Sequence, residues 1–235
     1  MTNFSGKTAI ITGAGTGIGR AITLALVAGG CAVGLNDINP DRIHALGEEI
    51  ESLGGQVMAM QGDVCNRFQA SALIETTREK FGRVHYLINA AGVYKSGAVN
   101  GVDEWDWRRQ LDVNLTGAFF CSQLMGRVMA DEGGGVILNF AHSAKTFDTG
   151  IGYIASKGGL IAMTKQLARE FAPKNIRVNV ICAGDIADND LPTPANNYLG
   201  RVGTPDDVAN MALFLLSDSA NFITGAVIPV DGGVD

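Results

Sequence analysis

The chain has 235 residues, 46% hydrophobic and 18% charged, which is enough apolar side chain for a sizeable core and excludes wholesale disorder. With 18 Lys and Arg against 24 Asp and Glu the net charge is −6, and no basic stripe is present, which argues against a nucleic-acid partner. The four cysteines (Cys31, Cys65, Cys121, Cys182) form no CxxC, and His44, His85 and His142 form no HxxxH. A structural zinc site and a disulfide framework are both disfavoured, and the pattern suits a reducing cytosol.

Met1 to Lys7 lacks a basic segment followed by an apolar one. The longest uncharged stretch, 16 residues between Arg20 and Asp37, is broken by Gly29-Gly30. It is shorter than the ~20 residues a bilayer-spanning helix requires. The expectation is a soluble, cytoplasmic protein with no membrane partner.

Short apolar runs alternate with longer amphipathic stretches along the whole chain. Thr8–Ile11 reads as a strand and Ile18–Ala28 as a helix, followed by strand Cys31–Leu35 and helix Asp41–Leu53. Strand Val57–Met60, helix Phe68–Phe81 and strand His85–Ile88 come next. Trp105–Met129 is one long helical stretch whose pattern admits a break near Asn114. Strand Val136–Asn139, helix Tyr153–Phe171 and strand Arg177–Ile181 follow, then helix Asp206–Leu216, entered through Thr204-Pro205, and strand Ala226–Val230. Strands this short and apolar, separated by helical lengths, predict one α/β domain over residues 1–235. Its sheet is expected to be seven-stranded, mostly parallel and doubly wound, with helices on both faces and a ligand at the carboxyl ends of the strands.

Thr12-Gly13-Ala14-Gly15-Thr16-Gly17-Ile18-Gly19 lies between the first strand and the first helix. Alternate glycines remove the Cβ atoms that would hold a phosphate off the backbone, and the helix start supplies N–H donors. The spacing is T-G-x-x-x-G-x-G rather than G-x-G-x-x-G, and it points to a pyrophosphate. Asp37 ends the second strand 24 residues after Gly13, where an acid can accept from a ribose 2′-OH. A 2′-phosphate would meet that carboxylate, and neither Thr16 nor Ile38 offers a cation, so NAD is favoured over NADP.

Tyr153 and Lys157 are four residues apart, on one helix face. A free tyrosine, with a pKa of about 10, is a poor base at neutral pH. A nearby ammonium favours the phenolate, so the pair can move the proton that accompanies hydride transfer at an alcohol carbon.

Taken together, these motifs resemble the short-chain dehydrogenase/reductase family, of single-domain type, over nearly the whole chain. Thr12, Gly13, Gly17 and Gly19 match its phosphate turn, and Asp63-Val64 its adenine-side pair. Asn89-Ala90-Ala91-Gly92 matches its fourth-strand motif. Asn114 in Leu111-Asp112-Val113-Asn114 matches its proton-relay asparagine, and Tyr153 and Lys157 its catalytic pair, in the Y-x-A-S-K form. Arg201-Val202-Gly203-Thr204-Pro205, Thr224-Gly225 and Val230-Asp231-Gly232-Gly233 resemble its C-terminal signature. The resemblance implies a Rossmann-type fold. It implies a dinucleotide held by the turn, including Ile18, by Asp37, Asp63, Val64, Asn89, Ala90 and Gly92, and by Tyr153 and Lys157. It further implies that Tyr153 is the acid/base, that Lys157 lowers its pKa and holds the ribose, and that Asn114 holds a relay water. The helical stretches Trp105–Met129 and Tyr153–Phe171 match its subunit interface, implying a homo-oligomer, a tetramer or a dimer.

The chain departs from that family in the substrate region. Counting from Asn139, the position of the carbonyl-polarising serine holds His142, with Ser143 next, so that role falls to Ser143, to His142 or to neither. Ala183-Gly184 replaces Pro-Gly, Asp188 replaces a threonine, and the segment from Gly184 to Arg201 is short. Asp185, Asp188 and Asp190 oppose an anionic substrate, and the otherwise apolar lid suits a small, weakly charged alcohol or carbonyl compound. The leading expectation is an NAD-dependent enzyme interconverting a secondary alcohol and a ketone. The alternative is a dinucleotide-binding relative with impaired or no redox activity, serving regulation or assembly. A non-redox relative such as a dehalogenase ranks last, because the glycine turn is intact.

Overall fold

The computed structural model describes residues 3–142, 150–187 and 197–233. Seven strands, β1 (Thr8–Thr12), β2 (Ala32–Asp37), β3 (Val57–Gln61), β4 (Tyr86–Asn89), β5 (Gly135–His142), β6 (Ile176–Ala183) and β7 (Val227–Val230), form one sheet. Its order is β3-β2-β1-β4-β5-β6-β7, and every neighbouring pair of these strands is parallel. The strand order reverses at β1, between β2 and β4, so a crevice opens beyond the carboxyl ends of β1 and β4.

Alternate residues along the inner strands feed two main cores, and Ala141, Val180 and Cys182 form a third, smaller one. Ala9 and Ile11 of β1 pack with Ile22 and Leu26 of α1 (Gly17–Ala28), Ile43 of α2 (Pro40–Ser52) and Val208 of α7 (Pro205–Leu216). Ile10 points the other way, to Leu73 of α3 (Arg67–Phe81), Met125 of α5 (Ala118–Asp131) and Leu167 of α6 (Ile151–Phe171). Each such Ile, Leu, Val or Met side chain, removed from water on folding, contributes ~1.5–3 kcal/mol. This is why the strands read as unbroken apolar runs. Asn39 caps α2 and Asn66 caps α3 through side-chain oxygens, and Thr204 and Asp207 form a capping box at α7.

Many element ends shift by a residue or two from the sequence pattern, the break expected near Asn114 is present, and three places bear on the site. The stretch Trp105–Met129 divides into α4 (Glu104–Leu111), a wide π-type turn (Asp112–Gly117) and α5. The turn carries Asn114, whose side chain is drawn to the backbone of Val93; π-type insertions of this kind recur where a helical side chain serves a site. β5 continues past Asn139 to His142 because β6 runs beside it, pairing His142 with Ala183. His142 is therefore a strand-end residue, not a loop residue. His85 precedes β4, and its Nδ1 accepts from the Thr8 amide at 3.1 Å.

Candidate active site

The glycine turn closes around the carboxyl end of β1. Gly13 sits at φ +63°, and a Cβ there would lie 2.6 Å from the Ala91 Cα. A Cβ on Gly19 would collide with the carbonyl oxygen of Gly13. Only glycine permits this approach of the β1 turn, the β4 turn and the start of α1. Thr16, at the N-cap of α1, makes no side-chain cap, and the first turn holds no acid. Its first amides are therefore left for an anion, and Gly13, Gly17, Ile18 and Gly19 line the cleft they face. Thr12 stands behind: its hydroxyl accepts from the Ala91 amide at 3.3 Å and ties the two turns together.

Asp37 is buried at the end of β2, with Oδ2 accepting from the Gly15 amide at 3.0 Å and Oδ1 from the Asn39 amide at 2.9 Å. A carboxylate fixed in this way, lining the same cleft, fits a ribose diol. The cleft also holds Arg42, a cation that the argument from Thr16 and Ile38 left out. It enters because Asn39 starts α2 and turns the helix toward Gly15.

Asp63 and Val64 line the same cleft with Arg109 of α4. Burial acts to raise the Asp63 pKa, but the Cys65 amide and the Arg109 guanidinium, 2.9 Å from Oδ2, outweigh it and hold the carboxyl below its usual value. Ala90 and Gly92 line the cleft wall. Asn89 lies behind it. Asn89 Nδ2 donates to Asn139 Oδ1 at 2.8 Å and to Ser122 Oγ at 3.0 Å, and Asn139 donates to Thr164 Oγ1 at 2.9 Å. This buried chain locks the ends of β4 and β5.

Tyr153 and Lys157 share one face of α6, and a Cβ on Gly92 would lie 3.6 Å from Lys157 Nζ, which brings Lys157 to the cleft wall. The Tyr153 ring is held between two others, Tyr94 at 5.2 Å between centroids and His142 at 5.7 Å, both edge-to-face. Asn114 accepts from the Val93 amide at 2.8 Å and donates to the Val93 carbonyl at 3.0 Å and to Ser156 Oγ at 2.9 Å. Ser156 Oγ in turn donates to the Tyr153 carbonyl at 2.7 Å.

The electrostatics of the pair differ from the simple ammonium–phenolate picture. Burial, with a further contribution from Tyr94, pushes the Tyr153 phenol up to about 12. Burial lowers Lys157 to about 8, and its ammonium donates to the Phe140 carbonyl at 2.7 Å. Desolvation therefore dominates over the helical spacing. His142 is held below its usual pKa by burial and by Lys157, partly offset by Asp185 and the Ala183 backbone. Ser143 and Asp188 lie outside the described residues. The short lid is anchored where it is described: the Gly203 amide donates to the Asp185 carbonyl at 3.0 Å, and Arg201 pairs with both oxygens of Asp207.

Sequence reasoning missed Tyr94, Arg42, Arg109 and Gln110, whose Oε1 accepts from the Lys95 amide at 3.1 Å. Gln110 was legible in principle, four residues before Asn114 on the same helical side. Tyr94 carries no such signal, since its placement depends on the strap after β4.

The family model described as enoyl-(acyl carrier protein) reductase matches residues 13–235. A 3-oxoacyl-(acyl-carrier-protein) reductase of Thermotoga maritima is 36% identical over 240 residues, covering 97% of this chain and 98% of that protein. A cyclohexanol dehydrogenase of an Acinetobacter species is 36% identical over 246 residues, covering 99% and 96%. A solved 7α-hydroxysteroid dehydrogenase, complexed with NADH and 7-oxo glycochenodeoxycholic acid, superposes with a TM-score of 0.92 at 35% identity, covering 99% and 96% of the two chains. With its parallel sheet, its glycine cradle and these relatives, the chain belongs to the short-chain dehydrogenase/reductase family of oxidoreductases.

Proposed function

We propose that this chain interconverts a secondary alcohol and a ketone with NAD(H). The observation that carries the reading is the approach of Lys157 Nζ to Gly92 in the cleft wall, with Tyr153 one turn away on α6, while the buried Asp37 carboxylate lines the same cleft. The glycine turn would hold the pyrophosphate, Asp37 the adenosine ribose, and Asp63 and Val64 the adenine side. A bound nicotinamide supplies the hydride acceptor or donor; the chain's own residues supply the proton.

Tyr153 takes the alcohol proton at its phenolic oxygen during oxidation and returns it during reduction. Lys157, freed from the Phe140 carbonyl, stabilises the phenolate and holds the ribose. Asn114 holds the water through which this proton reaches solvent. Both of its amide hydrogens are committed to Val93 and Ser156, so an acceptor atom of the residue takes that water. His142 or Ser143 orients the carbonyl oxygen. The active form is a homotetramer, joined partly through α4, α5 and α6, where Trp105, Phe119 and Ile151 are exposed.

Purified protein with NAD+ and a panel of secondary alcohols, followed by the absorbance of the reduced nicotinamide, tests the reading. Of His142→Ala and Ser143→Ala, the variant that slows turnover without weakening NAD binding identifies the carbonyl partner. Binding of NAD without turnover on any alcohol would favour the second reading, a dinucleotide-binding protein without redox activity. That reading draws support from the buried phenol and from the Lys157 ammonium engaged at Phe140.

A further inference from the structure

Tyr94 follows the Asn89-Ala90-Ala91-Gly92 turn, and the backbone on both sides of it is tied down. On one side Asn114 takes both the amide and the carbonyl of Val93, at 2.8 and 3.0 Å. On the other, the Lys95 amide donates to Gln110 Oε1 at 3.1 Å. Asn114 and Gln110 are each only 1% exposed, so these anchors are shielded from water. Gly150, just before α6, approaches so closely that a Cβ there would collide with the Lys95 carbonyl oxygen. The strap carrying Tyr94 is thus clamped against α4, the π-type turn and the start of α6.

The ring this clamp presents lies edge-to-face on Tyr153, at 5.2 Å and 87°, while 55% of the Tyr94 surface stays open. The neighbouring Lys95 ammonium is paired with Asp106 at 3.5 Å, which lowers its charge toward the ring. An aromatic side chain on an immobilised backbone offers contact area with little conformational entropy left to lose. A substrate whose reacting carbon belongs to an apolar ring would cover it; a short linear alcohol would leave much of it wet.

We propose that Tyr94 is a specificity-determining residue, a fixed aromatic wall at the phenol of Tyr153 that selects ring-bearing alcohols and ketones over short linear ones. The assignment rests on the proposed dehydrogenase reading, which places the reacting carbon at Tyr153. Its chemistry is contact area, so the ring matters and the hydroxyl does not.

The test compares the full chain, Tyr94→Phe and Tyr94→Ala, using cyclohexanol and 2-butanol with NAD+. In Tyr94→Ala the cyclohexanol-to-butanol ratio of kcat/KM should fall about tenfold, within the ~10–200-fold that a hydrophobic contact supplies, and mainly through KM. Tyr94→Phe should restore the ratio. An unchanged ratio in Tyr94→Ala overturns the proposal, as does a ratio that Tyr94→Phe fails to restore. Calorimetric binding of cyclohexanone to the NADH-loaded protein reads the same wall without turnover. Wild-type protein that turns over neither of these nor any other secondary alcohol of the panel refutes the dehydrogenase reading. In that case, cyclohexanone binding lost in Tyr94→Ala and kept in Tyr94→Phe still upholds the wall. Binding that is equal in all three proteins, or absent from all three, overturns it.

Discussion

The ammonium of Lys157 donates to the carbonyl oxygen of Phe140 at 2.7 Å, across from α6 to the end of β5, and stays 5.6 Å from the centroid of the Tyr153 ring. Burial lowers its pKa from 10.5 to about 8. The unfolded chain therefore holds the proton more tightly, and the cost of burying the charge is complete below about pH 8 and relieved as pH rises toward 10.5. Lys157→Met keeps much of the volume and removes the charge. It should raise the thermal midpoint of the dinucleotide-free protein at pH 7, with a smaller gain at pH 9, while turnover is lost. Thermal denaturation at the two pH values checks this, and a lower midpoint at pH 7 would refute it.

Tyr153 should titrate differently with and without dinucleotide. Burial and Tyr94 push its phenol up to about 12, so almost no phenolate exists at neutral pH. A positive nicotinamide, together with a released Lys157 ammonium, favours the phenolate and should lower that value. The difference in phenolate absorbance between wild type and Tyr153→Phe should show a midpoint near 12 without ligand and a lower one with NAD+. The kcat profile for oxidation should rise through the lower midpoint, because kcat reports the bound complex. Tyr153→Phe should cut turnover by ~10²–10⁴ and leave NAD affinity nearly intact. Full activity of that variant would rule out this mechanism.

The fold was legible in the chain because the inner strands are buried on both faces and the helices on one. Apolar runs such as Val33 to Leu35 and Ile137 to Leu138 could sit nowhere else. The cradle was legible because Gly13 and Gly19 answer to backbone contacts that allow no Cβ. What could not be read was the balance of solvation. A four-residue spacing puts Lys157 beside Tyr153, but it says nothing of the Phe140 carbonyl, which belongs to a strand 17 residues away in sequence. Tyr94 and Arg42 reach the site through the strap after β4 and the cap of α2, both of which depend on tertiary contacts.

Cofactor choice should turn on two residues with opposite effects. Asp37→Ala removes the carboxylate that faces a 2′-substituent. It should weaken NAD(H) and improve NADP(H), narrowing the preference. Arg42→Ala removes the cation in the same cleft and should weaken NADP(H) more than NAD(H), widening it. Each change is expected within ~1–3 kcal/mol, the scale of one charged hydrogen-bonding group. Calorimetric titration of both dinucleotides measures it. Equal affinities in the unmutated protein would remove Asp37 from the role of discriminator.

The bond between Asn114 and Ser156 separates positioning from mere stability. Ser156 Oγ accepts from Asn114 Nδ2 at 2.9 Å and donates to the Tyr153 carbonyl at 2.7 Å, so it couples the wide turn to the first turns of α6. Asn139 is equally buried, and among the described residues its side chain bonds Asn89 and Thr164, behind the cleft. Ser156→Ala and Asn139→Ala should both destabilise the fold, by ~1–3 kcal/mol each, because each leaves a buried partner short of a bond. Only Ser156→Ala should also change catalysis. Losing its bridge frees Tyr153 to shift against Tyr94 and His142, lowering kcat about tenfold and moving the apparent pKa of oxidation, since small misplacements of a reacting group are costly. Asn139→Ala should leave that pKa in place. Denaturant titration and pH-dependent kinetics on both variants give the answer, and a pKa that moves equally in the two would assign Ser156 a purely structural role.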